Sequence, residues 1–103
     1  MFTIDDKNYE LKFNTGRCKM IEKALGGESI THAMLTNDAM MSITAVEAFF
    51  AYGLKEDGSD VFIMPKFATE LCEKYMSENG YTATVKQIQD AVKRDMGFLF
   101  QVS

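Results

Sequence analysis

The sequence of 103 residues predicts a mainly α fold (α+β), four to five helices packed with an N-terminal β-hairpin. Three observations carry that expectation. Apolar and polar residues alternate within the first 13 positions, apolar residues recur at helical spacing from residue 15 onward, and glycine or the single proline stands at boundaries of the first helical run and of the last two. With 47% apolar and 25% charged residues the chain is composed like an ordinary globular protein, and it carries no repeat or Ser/Gly-rich linker, so residues 1–103 are expected to form a single domain: hairpin 1–13 and helical body 15–103.

The hairpin is predicted from Phe2-Thr3-Ile4 and Tyr9-Glu10-Leu11-Lys12-Phe13, with Asp5-Asp6-Lys7-Asn8 supplying turn chemistry. Its apolar face holds Phe2, Ile4, Tyr9, Leu11 and Phe13. Because an isolated two-stranded hairpin is marginal in water, that face needs a helical surface to cover. A first helix is expected over 15–25, capped by Asn14 or Thr15, with Met20, Ile21, Ala24 and Leu25 on one face and Gly26-Gly27 as the stop. Ser29 can cap a short helix through Ile30, Ala33, Met34 and Leu35 that ends near Thr36-Asn37-Asp38.

From Ser42, the residues Ile43, Val46, Phe49, Phe50, Gly53 and Leu54 form one helical stripe and the expected centre of the core. Polar Lys55-Glu56-Asp57-Gly58-Ser59-Asp60 reads as a turn, followed by the short apolar run Val61-Phe62-Ile63-Met64. Pro65 then opens a helix to about Glu78 that buries Ala68, Leu71, Cys72, Tyr75 and Met76, with Asn79-Gly80 as its cap. A last helix from Thr82 carries Val85, Ile88, Ala91, Val92 and Met96 inward, with Lys86, Asp90, Lys93, Arg94 and Asp95 expected to face outward, and Gly97 interrupts it before Phe98-Leu99-Phe100.

Several chemistries have little to work with. General acid–base or nucleophilic catalysis needs a base set beside a nucleophile or a second acid, and His32 is the sole histidine, so no catalytic residue is assigned and the chain is expected not to be an enzyme. One histidine and two distant cysteines offer no zinc spacing, and Asp57-Gly58-Ser59-Asp60 lacks the alternating oxygens and downstream Glu of a calcium loop, so neither metal nor cofactor is expected. Cys18 and Cys72 stand outside any CxxC pattern and read as small apolar fillers in a reducing compartment. The net charge of −4 arises from interleaved acids and bases without a basic stripe, which argues against nucleic acid as a partner; Lys86, Lys93 and Arg94 are the only clustered cations for a nucleic-acid-binding regulator. The first 20 residues have no signal-peptide pattern and no stretch approaches membrane-spanning length, so no membrane partner is expected.

Two features point to protein binding. The chain has eight methionines, and flexible thioethers suit partners held without tight shape-matching; Met40 and Met41, next to a polar loop, are the pair expected to be exposed. The ending Phe98-Leu99-Phe100-Gln101 is too apolar for a free tail and either folds back or forms a contact patch. Candidate partner contacts are therefore Met40, Met41, Phe98, Leu99 and Phe100.

Three segments, Phe2 through Phe13, Ala48-Phe49-Phe50-Ala51-Tyr52-Gly53-Leu54-Lys55-Glu56, and Arg94-Asp95-Met96-Gly97-Phe98-Leu99-Phe100, resemble the small tail assembly chaperones of long-tailed phages and prophages of Gram-positive bacteria. The resemblance implies a non-enzymatic protein that binds the tape measure protein and helps recruit tail tube subunits, acts in the host cytoplasm and is absent from the mature virion. It transfers no binding residue position by position; the five candidate contacts come from chemistry and expected exposure. The alternative reading is a structural tail or head–tail completion protein that stays in the particle. A monomer and a homo-oligomer are both compatible with the composition.

Overall fold

The computed structural model describes residues 1–35 and 41–100, with the side chains of Met34, Leu35, Leu99 and Phe100 outside that description. The expected end of the second helix at 36–38 and the candidate contact Met40 also lie outside the described residues. The element order is β1 (Phe2–Ile4), β2 (Lys7–Leu11), α1 (Thr15–Ala24), α2 (Ile30–Leu35), α3 (Ile43–Gly53), β3 (Leu54–Glu56), α4 (Pro65–Asn79) and α5 (Tyr81–Met96), closed by a 3-10 turn at Gly97–Phe100. This is the mainly α architecture with an N-terminal sheet that the periodicity predicts.

The hairpin is tighter than the sequence suggests. Asp5 and Asp6 both take positive φ, 52° and 65°, which makes a two-residue loop with Ile4 opposite Lys7, so β2 begins at Lys7 rather than Tyr9. Two successive left-handed residues match the twist of paired strands, and aspartate tolerates that conformation better than most side chains. The hairpin also gains a strand. Leu54–Glu56, expected as helix end and loop, pairs antiparallel with β2, Tyr9 opposite Glu56 and Leu11 opposite Leu54, giving the order β1-β2-β3. Lys55 locks that edge: its ammonium lies 2.6 Å from Glu10 Oε1 and donates to the Ser59 carbonyl, and Lys55 bridges to Phe62. The Lys55 hydrogen bond holds the Glu10 carboxyl below the ordinary glutamate range against the opposing effect of burial.

The helix ends follow local chemistry. Asn14 Oδ1 accepts from Arg17 N at 2.8 Å, Ser42 Oγ from Ala45 N at 3.0 Å and Ser29 Oγ from His32 N at 3.1 Å, each satisfying a first-turn N–H. Pro65 occupies the first turn of α4, and Gly80, at φ 92°, ends α4 and starts α5.

All five apolar hairpin residues are buried, and they share one core with α1, α3, α4 and α5. Phe2 packs against Phe50 and Tyr75, and Phe13 meets Phe49 edge to face with centroids 5.8 Å apart. α3 is the central helix, with Val46, Phe49 and Phe50 fully enclosed. Its stripe is shorter than predicted, because Ile43 in the first turn is exposed; Met20 and Ala24 likewise face away from the core, which α1 enters through Cys18 and Ile21.

The sequence reading also placed Asp95 outward, and this is corrected. Its side chain is only 5% exposed. Oδ2 accepts from the Phe13 backbone N–H at 2.9 Å, Oδ1 accepts from Lys12 Nζ at 3.3 Å, and Arg94 donates Nε to Oδ1 at 2.8 Å while its Nη2 also reaches the Leu11 carbonyl. The position falls three residues after buried Val92 and beside Met96, at the border of the apolar face, where a carboxylate can turn toward backbone donors. The last turn of α5 is thereby tied to the strand that leads into α1.

Candidate partner-binding surface

The two candidate contacts with described side chains, Met41 and Phe98, are placed differently. Met41 is 4% exposed, its side chain belongs to the core, and its carbonyl accepts from the Tyr81 hydroxyl at 2.5 Å. A methionine next to a polar loop reads as exposed, but this one is drawn in by the start of α5, and its side chain is not on the surface where it was expected. Phe98 is 59% exposed, with its ring outside the core.

Phe98 stands at the rim of an apolar groove of about 250 Å³ between α1, α2 and the end of α5. Thr15, Cys18 and Glu22 form its α1 wall, Ile30 and Thr31 its α2 wall, and Met96 lies at its base. Residues from such distant parts of the chain meet because of two local devices. Gly26 and Gly27, both at positive φ, turn the chain sharply after α1, and Glu22 Oε2 then accepts from Ile30 N at 3.0 Å, fixing α2 beside the helix it has just left. Asp95 holds the far end of α5 against the start of α1, which brings Met96 to the groove.

The polar chemistry around the groove is quiet. Burial, together with the charges of Glu22 and Asp95, pushes the Cys18 thiol up to about 11, so it is protonated near neutral pH and a poor nucleophile. Cys72 is pushed further, to about 12, by burial and by Glu47 and Glu73, and both cysteines are unlinked. His32 Nδ1 lies 2.6 Å from Glu28 Oε2 one helical turn earlier, on the solvent side of α2. Among the described residues no three His, Cys, Asp or Glu side chains gather where a metal ion could be held, and no helix is long and apolar enough to cross a membrane.

A second apolar feature escaped the sequence reading as a surface. Val61, Met64 and Phe67 are all exposed, on the segment before α4 and its first turn. The run Val61-Phe62-Ile63-Met64 carried the signal, since four apolar residues around a proline exceed what a three-residue edge strand can bury; only Phe62 and Ile63 turn inward. Arg17 covers Phe62, its guanidinium carbon 3.8 Å from the ring centroid.

Comparison with protein-family models, with curated proteins and with solved structures finds no match for this chain.

Proposed function

We propose that this protein is a non-enzymatic assembly chaperone of the phage-tail kind, which binds a long helical tape measure protein in the host cytoplasm, helps recruit tail tube subunits to it and does not remain in the virion. The observation that carries the reading is the division of labour within Arg94–Phe100, one of the three segments that resemble such chaperones. Arg94 and Asp95 anchor inward on Leu11 and Phe13, Met96 is buried, and Phe98 is left facing solvent at the rim of an apolar groove. A segment so firmly held on one side presents its exposed aromatic ring with little conformational freedom to lose on binding. An aromatic side chain beside a preformed apolar groove is the kind of anchor on which the apolar face of a partner helix docks.

The other two resembling segments meet this one. Phe13 packs on Gly53, Leu11 pairs with Leu54, and Lys12 N donates to the Gly53 carbonyl at 2.8 Å. The likeness therefore falls on one physical junction.

The test is co-expression with the tape measure protein of the same gene cluster, followed by affinity pull-down and light scattering. The proposal expects a soluble complex with several copies of this chain per partner, weakened by Phe98→Asp. No complex, or the protein found by mass spectrometry in purified particles, would turn the assignment to a structural tail or head–tail completion protein.

A further inference from the structure

A separate groove lies on the other side of α1. It holds about 330 Å³ between Ala24 of α1 and Pro65, Lys66 and Thr69 of α4, and its floor is the outer face of α3, where Thr44, Ala48 and Ala51 fall at helical spacing. The two alanines leave room above α3, while Phe49 and Phe50 on its opposite side fill the core. Further apolar side chains are exposed on two of the helices that bound it. Met20 is exposed on the same α1 face as Arg17 and Ala24, at i, i+3 and i+7, and exposed Ile43 stands at the start of α3.

Charge is distributed along this groove in two opposite ends. α3 and α4 run in opposite directions, since Ile63 N donates to the Leu54 carbonyl at one end while the Glu47 carboxyl meets that of Glu73 at the other. Lys66, in the first turn of α4, therefore marks one end, and Glu47 with Glu73 marks the other. Among the described residues Lys66, Glu47 and Glu73 form no ion pair. The Glu47 carboxyl faces that of Glu73; burial, a hydrogen bond that its protonated form donates to Glu73, and the Glu73 charge all push Glu47 above the ordinary glutamate range. A partner's cation arriving there would pair with both carboxylates in place of the proton they share.

We infer that this groove seats an amphipathic α-helix of a partner protein, its apolar stripe on Ala48 and Ala51, an acidic side chain at Lys66 and a basic one at Glu47 and Glu73. The inference shares with the proposed function only the helical character of the partner; it concerns a different surface. Small floor residues let a partner helix approach closely, and the opposed charges fix its direction.

The probes are three synthetic helical peptides sharing one leucine stripe: one with Glu in its first turn and Lys in its last, one with Lys at both ends and one with Glu at both. Calorimetric titration of the full chain should show the Glu/Lys peptide binding at least tenfold tighter than either control. Lys66→Glu, an exposed change that leaves the core untouched, should remove that preference and favour the all-Lys peptide. Ala51→Leu, which fills the floor, should weaken all three. Equal affinities, an unaltered order in Lys66→Glu, or no binding at millimolar peptide would each overturn the inference. These results are separable from the co-expression test, because Phe98→Asp changes only the groove on the other side of α1 and should leave peptide affinity as it was.

Discussion

Replacing Gly53 with alanine tests the closest approach made at any glycine of the chain. A Cβ at Gly53 would stand 2.4 Å from Cε1 and 2.8 Å from Cζ of Phe13, whereas carbon atoms settle at roughly 3.5–4.0 Å, so ring or helix must give by about 1 Å. The ring has nowhere to go. Phe13 is 2% exposed, packs edge to face on Phe49, and its backbone N–H is held by Asp95 at 2.9 Å. Overpacking of this kind costs about 1–3 kcal/mol. The helical preference of alanine over glycine offsets at most about 1 kcal/mol, and less here, because Gly53 is the last residue of α3. A net loss of about 1–2 kcal/mol is expected, which for a chain of this length lowers Tm by roughly 5–15 °C. Urea denaturation should show a lower midpoint with an unchanged m value. If the clash is the cause, Phe13→Leu should recover part of the loss, so that the double variant is more stable than the sum of the single effects by about 1 kcal/mol. A Gly53→Ala protein as stable as the parent, or strictly additive effects in the double variant, would refute the reasoning.

Four further outcomes follow from the geometry. Burial pushes the Asp95 carboxyl up, but the hydrogen bonds from Arg94 and Phe13, the Arg94 charge and Lys12 outweigh it and hold the group at about 2 against 3.8 unperturbed. A carboxyl depressed in the folded state contributes stability above its unfolded pKa and loses it as pH falls from about 4 toward 2, here on the order of 2 kcal/mol; Asp95→Asn should be less stable at pH 7 and show a flatter stability profile across that window in urea titrations. Cys18 and Cys72, protonated at neutral pH and buried, should react with a thiol reagent at pH 8 far more slowly than in urea, and rapid labelling of the native protein would contradict their placement. Lys55→Met should destabilise the protein by about 1–3 kcal/mol in thermal melts, because it strips the Glu10 carboxylate and the Ser59 carbonyl of their shared donor; an unchanged Tm would show that the β3 edge does not depend on it. Tyr81→Phe should cost about 1 kcal/mol and speed amide exchange in α5, since the Tyr81 hydroxyl is what joins the chain at Met41 to that helix.

How far the sequence could be read depended on whether a residue's fate was set by its neighbours along the chain. Phe2, Ile4, Tyr9, Leu11 and Phe13 are buried as their alternation implies, and Val85, Ile88, Ala91, Val92 and Met96 form the inner face of α5 as their spacing implies. β3 was invisible because three residues following a helical stripe carry no period of their own; its existence depends on the free edge of β2. Met41 was misread for the same reason, since the hydroxyl that holds its backbone comes from 40 residues away. The inward turn of Asp95 is legible in the sequence, because its offset from Val92 places it on the margin of the buried face. Of the candidate surface, the sequence offered Phe98 through an apolar ending, but the groove beside it joins Thr15, Ile30 and Met96, and no local pattern connects them.

The junction where the three resembling segments meet also divides their residues by task. Phe13, Gly53 and Asp95 are committed to one another: the glycine exists to admit the ring, and the carboxylate holds the backbone that carries it. None of the three has a side chain left to offer a partner. On the function and the docking groove proposed above, recognition falls to residues that the junction positions without using, Phe98 beyond the end of α5 on one side of α1, and the outer face of α3, just ahead of Gly53, on the other. A variant that loosens the junction, such as Gly53→Ala, should weaken binding at both surfaces together, whereas Phe98→Asp and Lys66→Glu should each affect only its own. That pattern of shared and separate effects, measured on one set of variants, distinguishes a scaffold that positions two contact sites from a protein whose single site happens to include the junction.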